Sequence, residues 1–217
     1  FANGIFNRDQ QELLPFSPDF VFLEKPEEVH YRKDAPEPEI VEPDGTTIWT
    51  PTESLRELAQ DEEVYQFFWE MFLAVLLPHH SWDKIVCLYD PKGRSGKGTV
   101  LQICQDLIGE DAWVSIPLAD FAKPFALSGL THADRILTDE NPVGVFNEDL
   151  SAVKALVTGD AVRLDRKYRD DLTMKWSGLM VQCLNGIPRA RDKSASLLRR
   201  MQFLPFTMNF SEAEEKK

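Results

Sequence analysis

The chain has 217 residues, 43% of them hydrophobic, enough for one sizeable core or for one domain with a smaller appendage. Its 36 acidic and 24 basic residues leave a formal charge of −12, which excludes a histone-like basic coat for nucleic acid. Three scattered cysteines (Cys87, Cys104, Cys183) and four histidines without a Cys-x-x-Cys pattern exclude a zinc site, and they read as reduced thiols of an intracellular, cytoplasmic protein.

Residues 1–50 are rich in proline and acid and read as an extended N-terminal arm. Pro26, Pro36, Pro38 and Pro43 break any long helix there and leave room for short strands such as residues 20–23. The opening Phe1-Ala2-Asn3 has neither an initiator Met nor a signal-peptide pattern, so a piece of a longer polypeptide is expected. Residues 51–80 read as a helical collar. Pro51-Thr52-Glu53 opens a helix to about residue 59 with Thr52 as its N-cap. Residues 61–77 then carry Val64, Phe67, Phe68, Met71, Phe72, Val75 and Leu76 at helical period. This is also the longest apolar run, and Glu70 interrupts it well short of the roughly 18 residues of a membrane span, so no membrane partner is expected.

From residue 81 to 210, strand and helix signals alternate. Residues 84–89 hold, after Lys84, a short apolar run (Ile85-Val86-Cys87-Leu88-Tyr89) of the kind found in buried parallel strands. A Gly-rich turn follows, then a helix over residues 98–108. Arg135–Thr138 reads as a second strand, residues 150–157 as a helix, and Leu179–Leu184 and Met201–Pro205 as further strands. The alternation predicts an α/β domain with a mainly parallel sheet. A charged tail, residues 211–217, ends the chain.

The sharpest local signal is Asp90-Pro91-Lys92-Gly93-Arg94-Ser95-Gly96-Lys97-Gly98-Thr99, set between a predicted strand and a predicted helix. Small residues let successive backbone N–H groups wrap a phosphate chain, with the positive end of the helix dipole behind them. Lys97 then reaches the β- and γ-phosphates of ATP, and a hydroxyl holds Mg²⁺. The match to G-x-x-x-x-G-K-[ST] is imperfect. Pro91 fills the first glycine slot, and Gly98 follows the lysine, so the hydroxyl is that of Thr99, one residue late. A plain strand–helix turn would use the same small residues.

Such a site also needs an acidic pair at a strand end, and Thr138-Asp139-Glu140 supplies one. Asp139 is the candidate for the metal shell and Glu140 for the general base that activates water. An ordinary acidic turn into Asn141-Pro142 remains the alternative. Asn185, ending the strand Leu179–Leu184, can orient water against a γ-phosphate, although Asn-Gly is also a common turn. Arg199 and Arg200 are candidates for an arginine finger inserted into a neighbouring subunit's site, although an Arg pair by itself is more often a surface salt-bridge donor.

Charge is uneven along the chain. Residues 1–83 hold 18 acidic and 5 basic side chains, a balance of −13, whereas residues 154–200 hold 11 basic and 5 acidic, a balance of +6. Any contact with a polyanion is therefore expected in the last third, although a surface that these charges merely solvate would show the same balance. Within that third, residues 162–170 alternate apolar and charged side chains, which predicts a β-hairpin with Asp170-Asp171 near its turn or exit. Arg163, Arg166 and Lys167 suit a phosphate backbone and Tyr168 can stack on a base. An exposed, salt-bridged hairpin would show the same pattern.

Together these segments resemble the phage and plasmid primase-helicases, including their poxvirus helicase-primase relatives, within superfamily 3 of the helicases. The resemblance is carried by Asn3-Gly4-Ile5-Phe6 with Glu12-Leu13-Leu14-Pro15-Phe16, by the loop 93–99, and by Asp139-Glu140. It continues through Thr158-Gly159-Asp160 leading to Arg166-Lys167-Tyr168, Asn185-Gly186-Ile187-Pro188, and Arg199-Arg200 with Pro205-Phe206. It covers nearly the whole chain, in order, and departs from the pattern at Pro91 and Gly98. It implies an AAA+ P-loop ATPase fold and a hexameric ring translocating on single-stranded DNA with ATP and Mg²⁺. It further implies that Asn185 acts as sensor 1, that residues 163–168 belong to a DNA-gripping hairpin, and that a primase domain shares the full polypeptide, in a phage or mobile element. Two other readings stay open: a P-loop small-molecule kinase, and a non-catalytic module that binds nucleotide only to fix ring geometry.

Overall fold

The structure, a computed structural model, describes residues 1–20, 29–77, 82–147, 149–190 and 196–210. The expected strand at 20–23 beyond Phe20, the end of the collar at residues 78–80 and the tail 211–217 lie outside these residues. The chain divides into two compact units, Phe1–Glu53 and Ser54–Lys217.

The first unit holds two antiparallel ribbons. Strands β1 (Ile5–Asn7) and β2 (Glu12–Leu14) pair, as do β3 (Ile40–Val41) and β4 (Ile48–Trp49). Asn3 clamps this unit: its carboxamide donates to the Tyr31 carbonyl and accepts from the Tyr31 N–H, both at 2.9 Å. The rings of Phe1, Phe6 and Tyr31 cluster over the clamp. At the end of the unit, Thr50-Pro51-Thr52-Glu53 forms a capping box that starts helix α1 (Pro51–Ala59). The Glu53 N–H donates to the Thr50 hydroxyl (3.2 Å) and the Glu53 carboxylate accepts the Thr50 N–H (3.0 Å). The cap is therefore Thr50 rather than Thr52, with Pro51 in the first helical position, where its missing N–H is harmless.

The second unit is built on one sheet. In chain order its elements are α2 (Glu62–Leu76), β5 (Ile85–Tyr89), α3 (Lys97–Ile108), β6 (Trp113–Val114), β7 (Arg135–Thr138), β8 (Phe146–Asn147), α4 (Ser151–Thr158), β9 (Ala161–Leu164), β10 (Leu172–Lys175), β11 (Leu179–Leu184), β12 (Arg189–Ala190) and β13 (Met201–Pro205). Five strands lie in the order β13-β5-β11-β7-β6, and every pairing is parallel. The central strands are buried on both faces, as their largely apolar sequences require.

Alternation along each strand sorts the side chains into two layers. Val86, Leu88, Leu137, Val181 and Cys183 pack toward α2 and α3 through Phe68, Val75, Val100, Leu101 and Cys104. Ile85, Cys87, Ile136, Met180 and Leu184 pack on the other face with Val153, Leu156, Val162, Leu164 and Trp176. Asp61 caps α2 by accepting the N–H groups of Glu63 and Val64. At the other end of α2, the buried guanidinium of Arg135 donates to the Val75 carbonyl at 2.6 Å, which satisfies an end-of-helix acceptor and ties α2 to the start of β7. All three cysteines are free and buried, and burial pushes the Cys104 thiol up to about 12. No helix among the described residues is long and apolar enough to cross a membrane.

Candidate functional site

Parallel strands bring their C-terminal ends to one edge of the sheet, which is where such folds build sites. β11 pairs with β5 on one side and with β7 on the other. The loop 90–96, the residue Asn185 and the pair Asp139-Glu140 therefore emerge side by side. Asn185 lies between the other two because its strand is inserted between theirs.

The loop after β5 turns through three left-handed residues, Gly93 (φ +82°), Arg94 (φ +55°) and Gly96 (φ +88°). Gly96 needs to be glycine twice over, since a Cβ there would also lie 2.6 Å from Leu58 Cδ1. Lys97 opens α3, and its Nζ lies 3.6 Å from Asp90 Oδ2, the two side chains being only 9% and 4% exposed. Asp90 Oδ1 accepts the Lys92 N–H at 2.8 Å. Burial alone would raise the Asp90 pKa. The Lys92 N–H, the nearby Ser95 hydroxyl and the Lys97 charge outweigh it and hold the group below its ordinary value, as a carboxylate. Ser95 is buried; its hydroxyl lies close enough to Asp90 to be felt electrostatically, yet neither it nor Asp90 Oδ2 completes a hydrogen bond.

Gly98 faces Asp139: a Cβ at position 98 would sit 3.4 Å from Asp139 Oδ1. Thr99, the next residue of α3, is exposed one position beyond the glycine that meets Asp139. Asp139 brings a carboxylate to the head of α3 beside a side-chain-free glycine, and no group of three or more His, Cys, Asp or Glu side chains that could hold a metal occurs among the described residues. That fits a Mg²⁺ carried in by phosphates and held through one carboxylate; it does not fit a metal caged by protein alone.

Asp139, Glu140 and Asn185 line one open cleft together with Ser115, Pro117, Asn141 and Pro142. The sequence reading missed what holds this cleft in shape. Asn141 donates to Gln182 Oε1 (2.9 Å) and to the Cys183 carbonyl (3.1 Å), and accepts the Leu118 N–H (2.8 Å). Behind it the buried Gln182 donates to Thr138 Oγ1, which exchanges hydrogen bonds with the backbone of Ile116. A fully satisfied network of this kind fixes the turn that carries Asp139 and Glu140 against β11. The signal available in the sequence was a lone Gln inside an otherwise apolar strand.

Arg199 and Arg200 sit in a short turn that leads into β13, whose first residue pairs with Ile85 at the start of β5. They are therefore at the opposite edge of the sheet from Lys97, some five residues or about 16 Å along the strands. Arg200 donates to the Ser196 carbonyl, and the Arg199 carbonyl accepts from Lys84.

The expected hairpin forms, with its strands set further apart than the residue pattern indicated. β9 and β10 pair antiparallel with Leu164 opposite Leu172, so residues 165–171 make the loop. Arg163 is paired with Asp171, and Arg166 donates twice to the Asp170 carbonyl, closing the loop. Both arginines are committed within the hairpin. Lys167 and Tyr168 remain at the tip, with Lys167 Nζ 5.2 Å from the Tyr168 ring centre and Tyr168 92% exposed.

Solved structures similar to this chain include the following three. The apo structure of the NrS-1 C-terminal region (305–718) superposes with a TM-score of 0.57 at 15% identity, over 84% of this chain and 48% of that one. Its A form gives 0.54 at 16% identity, over 74% and 38%. A JCV helicase structure with a bound thiazolopyridine acetamide gives 0.44 at 18% identity, over 76% and 47%. This chain thus spans less than half the length of each. The NrS-1 likeness is one of fold, an α/β unit on a central parallel sheet of the P-loop NTPase kind. The match to the family of unknown function DUF5906 runs over residues 88–200, from the end of β5 to the turn before β13, and the chain belongs to that family.

Proposed function

We propose that this chain is the ATP-driven motor of a DNA helicase, part of a phage or mobile-element primase-helicase. The observation that carries this reading is the convergence of Lys97, Asp139, Glu140 and Asn185 at the ends of three adjacent parallel strands, with Gly98 against Asp139. The loop 93–96 and the head of α3 take the phosphates, and Lys97 neutralises them. Asp139 holds Mg²⁺, which when bound screens the charge of the phosphates. Glu140 draws a proton from the attacking water while Asn185 orients it. Arg199 or Arg200, remote from the chain's own cleft, acts on a neighbouring copy in a ring, hexameric by analogy with the resembling helicases. Lys167 and Tyr168 contact single-stranded DNA, Arg163 and Arg166 shape the loop that presents them, and a primase domain completes the full polypeptide.

Steady-state ATP hydrolysis with and without single-stranded DNA at low salt, beside Lys97→Ala, tests the reading. Turnover that DNA stimulates and Lys97→Ala abolishes is the expected result. Nucleotide binding without turnover, in protein that sizing shows to be assembled, would overturn the motor and favour a module that uses nucleotide only to set ring geometry. Tyr168→Ala should weaken single-stranded DNA binding about 5- to 100-fold, the range for losing one base stack, without changing DNA-free turnover. Fluorescence anisotropy with a labelled oligonucleotide reads this directly, and an unchanged affinity would remove Tyr168 from the interface.

A further inference from the structure

Asp90 is a buried ionised group to which the proposed mechanism gives no task. Its carboxylate is held on one side by the Lys92 N–H at Oδ1, whereas Oδ2 is buried, makes no hydrogen bond, and faces the Lys97 ammonium at 3.6 Å. A buried carboxylate oxygen with neither a hydrogen bond nor a counter-charge is strongly unfavourable. Lys97 supplies the counter-charge for Oδ2. The phosphate chain that the loop is shaped to hold needs the same ammonium, and it brings further negative charge to within a few ångströms of Asp90.

From this we infer that Asp90 is a positioning residue that acts through Lys97 as an internal competitor of nucleotide. In the empty loop it holds the lysine in a buried ion pair. Phosphates capture Lys97 only by weakening that pair, so Asp90 sets nucleotide affinity lower than the loop would otherwise give. The same geometry makes Lys97→Ala more than a loss of a phosphate ligand, because it strands Asp90 in the core. The inference rests on the nucleotide reading above, and the competitor role is new to it.

Two measurements on the full 217-residue chain test it. Asp90→Asn keeps the acceptor for the Lys92 N–H and removes the charge. In nucleotide-free thermal melts, Lys97→Ala should fall several degrees below wild type, and adding Asp90→Asn to it should recover at least half of the loss. A double variant that melts no higher than Lys97→Ala overturns the ion-pair assignment. In titrations with a fluorescent ATP analogue and Mg²⁺, Asp90→Asn should bind at least threefold more tightly than wild type. A merely structural role would loosen binding or leave it unchanged, and never tighten it. Wild-type binding that Asp90→Asn fails to improve overturns the competitor alone. Absence of binding in both proteins overturns the nucleotide reading and the competitor with it.

Discussion

Glu140→Gln should reduce ATP turnover at least about 100-fold while nucleotide affinity stays within about twofold, the pattern for removing a general base from an intact site. The substitution keeps the side chain's size and its hydrogen-bonding reach and removes its basicity. Asp139 lies against the first turn of α3 at Gly98, whereas Glu140 is exposed in the cleft it shares with Asn185. Affinity should survive because the parts proposed to hold phosphate, Lys97 and the loop 93–96, are carried by β5 and α3 and do not depend on residue 140. The turn itself should also survive, since Asn141 and not Glu140 makes its hydrogen bonds to β11. Single-turnover hydrolysis beside equilibrium binding of a nucleotide analogue separates the two effects. Turnover retained within about threefold would exclude Glu140 as the base. A joint loss of binding and turnover would make it a structural carboxylate instead.

The parts of this fold that were legible in the sequence are those where one local signal decides the outcome. Arg135–Thr138, Leu179–Leu184 and Met201–Pro205 are strands at the residues their short apolar runs indicate; the first two are buried along their whole length, whereas the third lies at the sheet edge with Gln202 and Pro205 exposed. Gln182 is a buried polar residue inside Leu179–Leu184, and it belongs to the polar network behind the cleft. Other parts were hidden for physical reasons. β6 is two residues long and exists by pairing with β7, so nothing local announces it. The capping box at Thr50 and Glu53 is written plainly as Thr-x-x-Glu, but Thr52 competes for the same role one residue inside the helix, and only the hydrogen bonds choose between them. In the hairpin, the charges of residues 163–170 look equivalent in sequence. Folding uses Arg163 and Arg166 to close the loop and leaves Lys167 and Tyr168 exposed at its tip. Gly98 shows the opposite case. A departure from the phosphate-loop pattern becomes meaningful only once Asp139 is seen beside it.

Gly178→Ala should be the most destabilising single-methyl change in the second unit's junctions, by about 3 kcal/mol or more, equivalent to a fall of roughly 6–12 °C in Tm for a chain of this size. Gly178 sits between the buried Trp176 and the first residue of β11. A Cβ there would lie 1.9 Å from the Asp134 carbonyl oxygen and 2.7 Å from Trp176 Cζ2. Neither neighbour can retreat cheaply. The Trp176 indole is held by its N–H donating to the Ala133 carbonyl at 3.0 Å, and Asp134 is followed at once by Arg135, which is both anchored to α2 and paired with Leu179. Relief of the clash therefore has to separate β11 from β7, the two strands whose far ends carry Asn185 and the pair Asp139-Glu140. Gly93→Ala is the matched control: its Cβ meets nothing within 4 Å, so only the left-handed backbone at φ +82° opposes it, about 1–2 kcal/mol. Thermal melts of both variants give the order directly. A Gly178→Ala protein that melts within about 2 °C of wild type would mean that the junction yields and that the pairing of Leu179 with Arg135 does not set the spacing of the cleft. A large fall, with nucleotide affinity weakened in the surviving folded protein, would tie the geometry of the site to a glycine at the opposite end of the strand that carries it.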